Sequence, residues 1–195
     1  MNLPNKLTVL RAILIPVFLF FMYAHFIPFH FTIALFVFIA ASLTDALDGH
    51  IARKYNLVTD FGKFLDPLAD KALVIAALAV FVEFGTMGAV PFFIIIAREF
   101  MVSGLRLVTA DKGVVVAAGF WGKLKTAFTM AAIILILLVC SLSGDFDWFG
   151  FVPSIDFIFG VNCVMTASIW ISVALTVISG LVYLKGYWKY IDSDK

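Results

Sequence analysis

Long apolar runs separated by short polar breaks set the pattern of this chain. A membrane-crossing helix needs about 20 predominantly apolar residues. Six stretches read that way, at about 7–26, 31–53, 63–83, 89–109, 120–142 and 162–185. Gly85-Thr86-Met87-Gly88 and Ser143-Gly144-Asp145 carry turn signals between them. No low-complexity tract or internal repeat interrupts the series. The opening MNLPNKLTVLRAILIPVF places charge ahead of an apolar run, but no small-residue cleavage site follows, so it reads as a retained first helix. The pattern predicts an all-α integral membrane protein, with six transmembrane helices in a single domain over residues 1–195.

Composition agrees. The chain is 63% hydrophobic and 14% charged, whereas soluble domains average about a quarter charged and just under half apolar. Little room remains for a soluble domain. The net charge of +1 says less than its distribution. Lys and Arg concentrate on the cytoplasmic side of membrane proteins. With the N-terminus inside, that side receives Lys6, Arg11, Arg53, Lys54, Lys63, Arg106, Lys112, Lys123, Lys125, Lys185, Lys189 and Lys195. Lys71 and Arg98 lie within helices toward it, and the outer connections around 27–30, 84–88 and 143–161 hold no Lys or Arg. Both termini are therefore expected in the cytoplasm, in a multi-pass protein of the cell membrane with no nucleic-acid partner. Cys140 and Cys163 fall in apolar segments and read as small hydrophobes, with no metal-ligand spacing.

The chemistry concentrates in DALDGHIARKYNLVTDFGKFLDPLAD, residues 45–70. It places Asp45, Asp48, Asp66 and Asp70 in or beside predicted spans, where an isolated charge is costly and acids pair, bind cations or line a wet cavity. Asp45 and Asp48 are three apart and share a helix face; Asp66 and Asp70, four apart, share a face of the next helix. Gly49 and Ala52 keep the first face almost bare, which lets a ligand or neighbour approach the backbone. Asp45 precedes Arg53 by eight residues and Asp70 follows Gly62 by eight, so each lies at most about 12 Å from its helix end. Antiparallel helices then bring the acids to one level. Four carboxylates cannot neutralise one another, and a metal-binding active site at the cytoplasmic face is the reading they favour. Structural salt bridges, Arg53 with Asp48 and Lys71 with Asp66 or Asp70, would leave acids over. Pro67 disfavours helical geometry at Asp66. The third helix either starts near Asp66 or starts near Gly62 and kinks, and the second version is preferred.

The spacing Asp45-x-x-Asp48-Gly49-x-x-Ala52-Arg53, eight residues, then Gly62-x-x-x-Asp66-x-x-x-Asp70 resembles the full signature of the CDP-alcohol phosphotransferases. Asn5-Lys6-Leu7-Thr8-Val9-Leu10-Arg11, the run from Arg98 to Arg106, and Gly122-Lys123-Leu124-Lys125-Thr126 are similar to segments of the phosphatidylglycerophosphate synthase branch. The resemblance covers most of residues 3–130, and the last span and tail add little.

It implies the CDP-alcohol phosphotransferase fold and transfer of a phosphatidyl group from CDP-diacylglycerol to an alcohol, with release of CMP. For this branch the alcohol is sn-glycerol 3-phosphate. Two divalent ions, Mg²⁺ or Mn²⁺, and a homodimer in the lipid bilayer are expected with it. Asp45, Asp48 and Asp66 would be the principal metal ligands, and Asp70 a ligand and the general base. Asp48, Gly49, Ala52, Arg53, Gly62 and Lys63, with Asn5 and Thr8, would receive CDP-diacylglycerol. Interfacial anchoring is the alternative for Lys63 and Arg53.

Acceptor choice is expected in a second, basic cluster. Arg98 and Arg106 lie about two turns apart on the fourth helix, and Lys123 and Lys125 begin the fifth. Guanidinium forks match phosphate oxygens, so a phosphate-bearing acceptor suits buried arginines. Ser103 joins this set, and Glu99 is expected to orient Arg106 or Lys123. Snorkelling to headgroups is the alternative for Lys125 and Lys112. His50 reads as lipid- or interface-facing, and His25 and His30 as solvated residues at the outer end of the first hairpin. A phosphatidylinositol-phosphate synthase is the nearest rival within the family. A cation or proton transporter is the rival outside it, opposed by the apolar outer halves of the spans.

Overall fold

The computed structural model describes residues 3–55, 60–111, 119–145 and 154–191, with the side chains of 3–7, 45–55, 60–70, 111 and 189–191 outside the described residues. The described chain is helical throughout: α1 (Leu3–Tyr23), α2 (His30–Tyr55), α3 (Asp60–Glu83), α4 (Ala89–Asp111), α5 (Phe120–Cys140) and α6 (Ile155–Ile191). A single π-helical turn, Ser141–Asp145, extends α5. The first five helices match their predicted spans within a few residues. α6 departs: its 37 residues make a rod about 55 Å long, well beyond the roughly 30 Å hydrocarbon core of a bilayer.

Among the described residues, two helical segments are long and apolar enough to cross a membrane, Phe120–Asp145 and Ile155–Trp188, rather than the six expected. Shorter apolar stretches run over Thr8–Tyr23 and His30–Thr44. That number of crossing segments rests on the described side chains alone: those of α1 begin at Thr8, those of α2 end at Thr44 and those of α3 begin at Lys71, while Arg98, Glu99 and Arg106 interrupt α4.

Local sequence explains the punctuation. α3 ends in a Schellman motif: Gly85 sits at φ +71°, its N–H donates to Val82 O at 3.1 Å, and Thr86 N–H donates to Phe81 O at 2.9 Å. A positive φ suits glycine, which has no Cβ to clash. The turn expected at 85–88 is thus present. Pro16 lies inside α1, where it removes one helical donor.

α1 packs chiefly on α2 and α3, α6 lies against α4 and α5, and α2 crosses to α5 to join the two groups. The core between them holds Phe18, Met22, Phe38, Leu73, Phe81, Ile95, Ile133, Ile136 and Leu137. Ala34, Ala41 and Ala77 are fully buried in the same core. Within lipid, helix association depends on close van der Waals contact, and these small side chains permit it.

At the end of the bundle where α1 meets α2, packing buries one acid of the outer connection and overrides the expectation for His30. Asp145, expected in an outer connection, is 1% exposed. Its carboxylate accepts from Thr32 N–H at 2.7 Å, Thr32 Oγ1 at 2.5 Å and Phe31 N–H at 3.4 Å. These are first-turn donors of α2, which no carbonyl of their own helix can satisfy. A carboxylate there is also favoured by the helix dipole. The aspartate caps α2 from more than a hundred residues away. Gly144 makes the approach possible, because a Cβ on it would fall 2.5 Å from Phe31 Cε2. His30, expected to be solvated, is instead buried, with Nδ1 3.0 Å from Phe21 O and its ring edge-on to the exposed His25. Tyr23 Oη donates to Glu83 Oε2, tying α1 to α3 at this end.

Candidate functional site

The acidic signature lies on regular backbone. α2 runs unbroken through Asp45, Asp48, Gly49, Ala52 and Arg53, and α3 through Gly62, Lys63, Asp66 and Asp70. α3 begins at Asp60, six residues ahead of Asp66, so the later start near Asp66 is excluded. The side chains of these nine residues and of Asn5 lie outside the described residues. Among the described side chains, no three of His, Cys, Asp and Glu come together.

α1 carries two buried polar residues one helical turn apart, Thr8 and Arg11, each 1% exposed. Thr8 was expected at the nucleotide end. Arg11 was read as a marker of orientation and as the end of the resembling N-terminal segment, with no role at the site, yet it heads the fully buried side chains by volume. A buried guanidinium is costly unless hydrogen-bonded and paired, so its position has a polar purpose.

The basic cluster is described in full except for its flanking loop, and four helices build it. Arg98 is 9% exposed on α4. Its Nη2 donates to Ser179 Oγ of α6 at 2.5 Å, and its Nη1 lies 3.4 Å from Glu99 Oε1. Its Nε has no hydrogen-bond partner among the described residues. Lys125, 3% exposed on α5, pairs with the same Glu99 carboxylate. Lys71 of α3 donates to Ser103 Oγ, which donates in turn to Glu99 O at 2.7 Å. Arg106 is exposed, with Nη2 3.5 Å from Tyr183 Oη.

Tyr183 of α6 stands at the centre and is 5% exposed. Its ring lies 5.4 Å from Arg98 Cζ and 5.9 Å from Arg106 Cζ, within reach of cation–π attraction. Its hydroxyl accepts the Gly119 N–H at 2.9 Å, one of the donors at the start of α5 that the helix leaves unmatched.

Of the expected acceptor residues, Arg98, Ser103, Arg106 and Lys125 share this network, and Lys123 stands exposed on α5 beside it. Two details are corrected. Glu99 engages Lys125 and Arg98 rather than Arg106 or Lys123, because a step of two residues along α5 turns Lys125 to the inward face, opposite the exposed Lys123. Lys125 therefore does not snorkel. Tyr183 and Ser179 were not anticipated, since hydroxyls in a long apolar helix look like ordinary packing residues. The signal was available: Ser172, Thr176, Ser179 and Tyr183 recur at helical spacing, and all are buried.

The family pattern of CDP-alcohol phosphatidyltransferase matches residues 1–178. The chain is similar to the CDP-diacylglycerol–glycerol-3-phosphate 3-phosphatidyltransferase of Bacillus subtilis (strain 168), with 43% identity covering 99% of this chain and 98% of that protein. Proteins of the same description from Rickettsia bellii (strain RML369-C) and Pseudomonas fluorescens are 38% and 36% identical. Those alignments cover 97% and 100% of this chain, and 97% and 94% of the relatives.

Proposed function

The chain belongs to the CDP-alcohol phosphatidyltransferase family, and on that premise we propose that it transfers the phosphatidyl group of CDP-diacylglycerol to glycerol 3-phosphate, yielding phosphatidylglycerophosphate and CMP. The observation that carries this reading is the end-to-end likeness to a Bacillus subtilis enzyme named for that reaction. The basic cluster supports the acceptor: Arg98 is buried with an unmatched Nε among the described residues, which suits a phosphate better than a neutral alcohol.

Asp45, Asp48, Asp66 and Asp70 are hard oxygen donors of the kind Mg²⁺ and Mn²⁺ prefer, and they stand on two continuous helices, which fits a pair of such ions. When bound, the ions supply charge neutralisation at the diphosphate and at the departing CMP oxygen. The protein's own tasks are positioning and proton transfer, which dominate phosphoryl chemistry. Gly49 and Ala52 leave room for the nucleotide, and Arg53, Gly62, Lys63, Asn5 and Thr8 border it. Asp70 takes the proton of the acceptor hydroxyl as its oxygen attacks the phosphatidyl phosphorus. The bond from that phosphorus to the CMP oxygen breaks, and its electron pair leaves with CMP. Arg98, Arg106, Lys123 and Lys125, with Ser103, hold the acceptor's phosphate.

All six helices cross the membrane in this reading, with both termini and the signature on the cytoplasmic side, where the positive residues gather. Two copies associate as a homodimer, which crosslinking in the membrane checks.

CMP release by purified protein, supplied with CDP-diacylglycerol and one acceptor at a time, is the decisive assay. Glycerol 3-phosphate supports release, serine and inositol 1-phosphate do not, and a chelator stops it until Mg²⁺ or Mn²⁺ is restored. Equal release with inositol 1-phosphate would move the protein to another branch. Asp70→Asn should lower turnover by about 10²- to 10⁴-fold while keeping metal-dependent binding of CDP-diacylglycerol. Undiminished turnover would refute the base assignment.

A further inference from the structure

Ser179, Gly180 and Tyr183 lie just past residue 178, where the family pattern ends, yet all of them meet the basic cluster. Ser179 and Gly180 lie four and three residues before Tyr183, on one side of α6. Gly180 admits the Arg98 side chain: a Cβ there would stand 3.3 Å from Arg98 Cγ. Gly122 admits the Tyr183 hydroxyl in the same way, at 3.0 Å. Small residues on α5 and α6 thus draw one phenol up against two arginines and a helix start.

The electrostatics of this arrangement are unusual. Both guanidinium carbons lie within 6 Å of one ring centre, so the like charges are at most about 12 Å apart with little water on the Arg98 side. An aromatic face offsets part of that repulsion, and two arginines sharing one ring are held in fixed relation to it. The hydroxyl adds a second constraint, because it joins Arg106 Nη2 and Gly119 N–H at a single oxygen. Moving any one of α4, α5 and α6 would break a contact with Tyr183.

We propose that Tyr183 is a positioning residue for the acceptor phosphate, fixing Arg98 and Arg106 relative to the first turn of α5 so that their donors converge on one phosphomonoester. This rests on the acceptor reading above. Tyr183 does not touch the reacting atoms. Its effect passes through the two arginines and therefore appears in acceptor affinity rather than in turnover or in lipid-donor affinity.

Steady-state kinetics with both substrates varied provide the test. Tyr183→Phe keeps the ring and loses the hydroxyl, and should raise the KM for glycerol 3-phosphate about three- to tenfold with kcat and the KM for CDP-diacylglycerol unchanged. Tyr183→Leu, lacking the ring as well, should raise it further. In an Arg106→Ala background, Tyr183→Phe should add less than it does alone, because the hydroxyl's main charged partner is gone. Gly122→Ala, which crowds the same hydroxyl, should show the same selective rise should the phenylalanine variant not fold. Leu181→Ala, an exposed neighbour, serves as the control. An unchanged acceptor KM in folded Tyr183→Phe, or equal losses in both KM values and kcat, would overturn the role of Tyr183 alone. Unaltered protein that ignores glycerol 3-phosphate but consumes another alcohol would remove the acceptor reading beneath it.

Discussion

Two buried charged sites at opposite ends of the bundle are built on contrary principles. At Asp145 a carboxylate is enclosed and satisfied by its own chain, with Thr32 Oγ1 and the amides of Phe31 and Thr32 all donating to it. Around Tyr183 one guanidinium is enclosed but incompletely satisfied, since Arg98 keeps an unmatched Nε among the described residues, and the other, Arg106, reaches solvent. A buried charge with its partners in place stabilises a fold. A buried charge with donors to spare is positioned for a ligand, because desolvating an unmatched donor is a cost that packing alone does not justify. The contrast separates a structural charge from a functional one without reference to any reaction.

Substitutions can break the contrast. The largest effect is expected at Arg98→Ala, which removes a buried, hydrogen-bonded charge from the acceptor site. By analogy with truncated charge pairs, kcat/KM for glycerol 3-phosphate should fall by roughly 10²- to 10³-fold, with thermal stability in detergent little altered. A large drop in melting temperature with normal kinetics would make Arg98 structural and erase the distinction. Asp145→Ala should do the reverse. It leaves α2 donors unmatched at a cost of about 1–3 kcal/mol, lowering the melting temperature while the KM values of the folded fraction stay put. The smallest effect belongs to Lys123→Ala. That side chain is exposed, and exposed charges contribute little, so acceptor KM should change less than about threefold. A larger change would extend the acceptor site outward along α5.

The same two sites show where reading a sequence stops. Glu99, Arg98 and Lys125 could be gathered into one cluster from spacing on α4 and α5, because charged residues in apolar helices must find company. Which carboxylate meets which cation was decided by the rotation of α5 against α4, and Glu99 took Lys125. Asp145 could not be recognised as a cap from spacing, since capping residues are sought within a few positions of the helix they serve. Here the cap and the helix start are 113 residues apart. His30 shows the converse: a histidine near a turn looks solvated until Phe21 O and the His25 ring close over it.

What the chain alone determined is what local geometry controls. Hydropathy runs located the helices, glycine marked the end of α3, and spacings of three and four placed the aspartates in pairs on continuous helices, because a helix has a fixed period that any linear pattern can reveal. What only the tertiary structure decided is which surfaces face one another. Asp145 on the start of α2, Tyr183 between two arginines and Gly122 beneath a phenol all depend on how helices far apart in sequence rotate and cross. No local period encodes that choice, since many distant side chains settle it together by close packing.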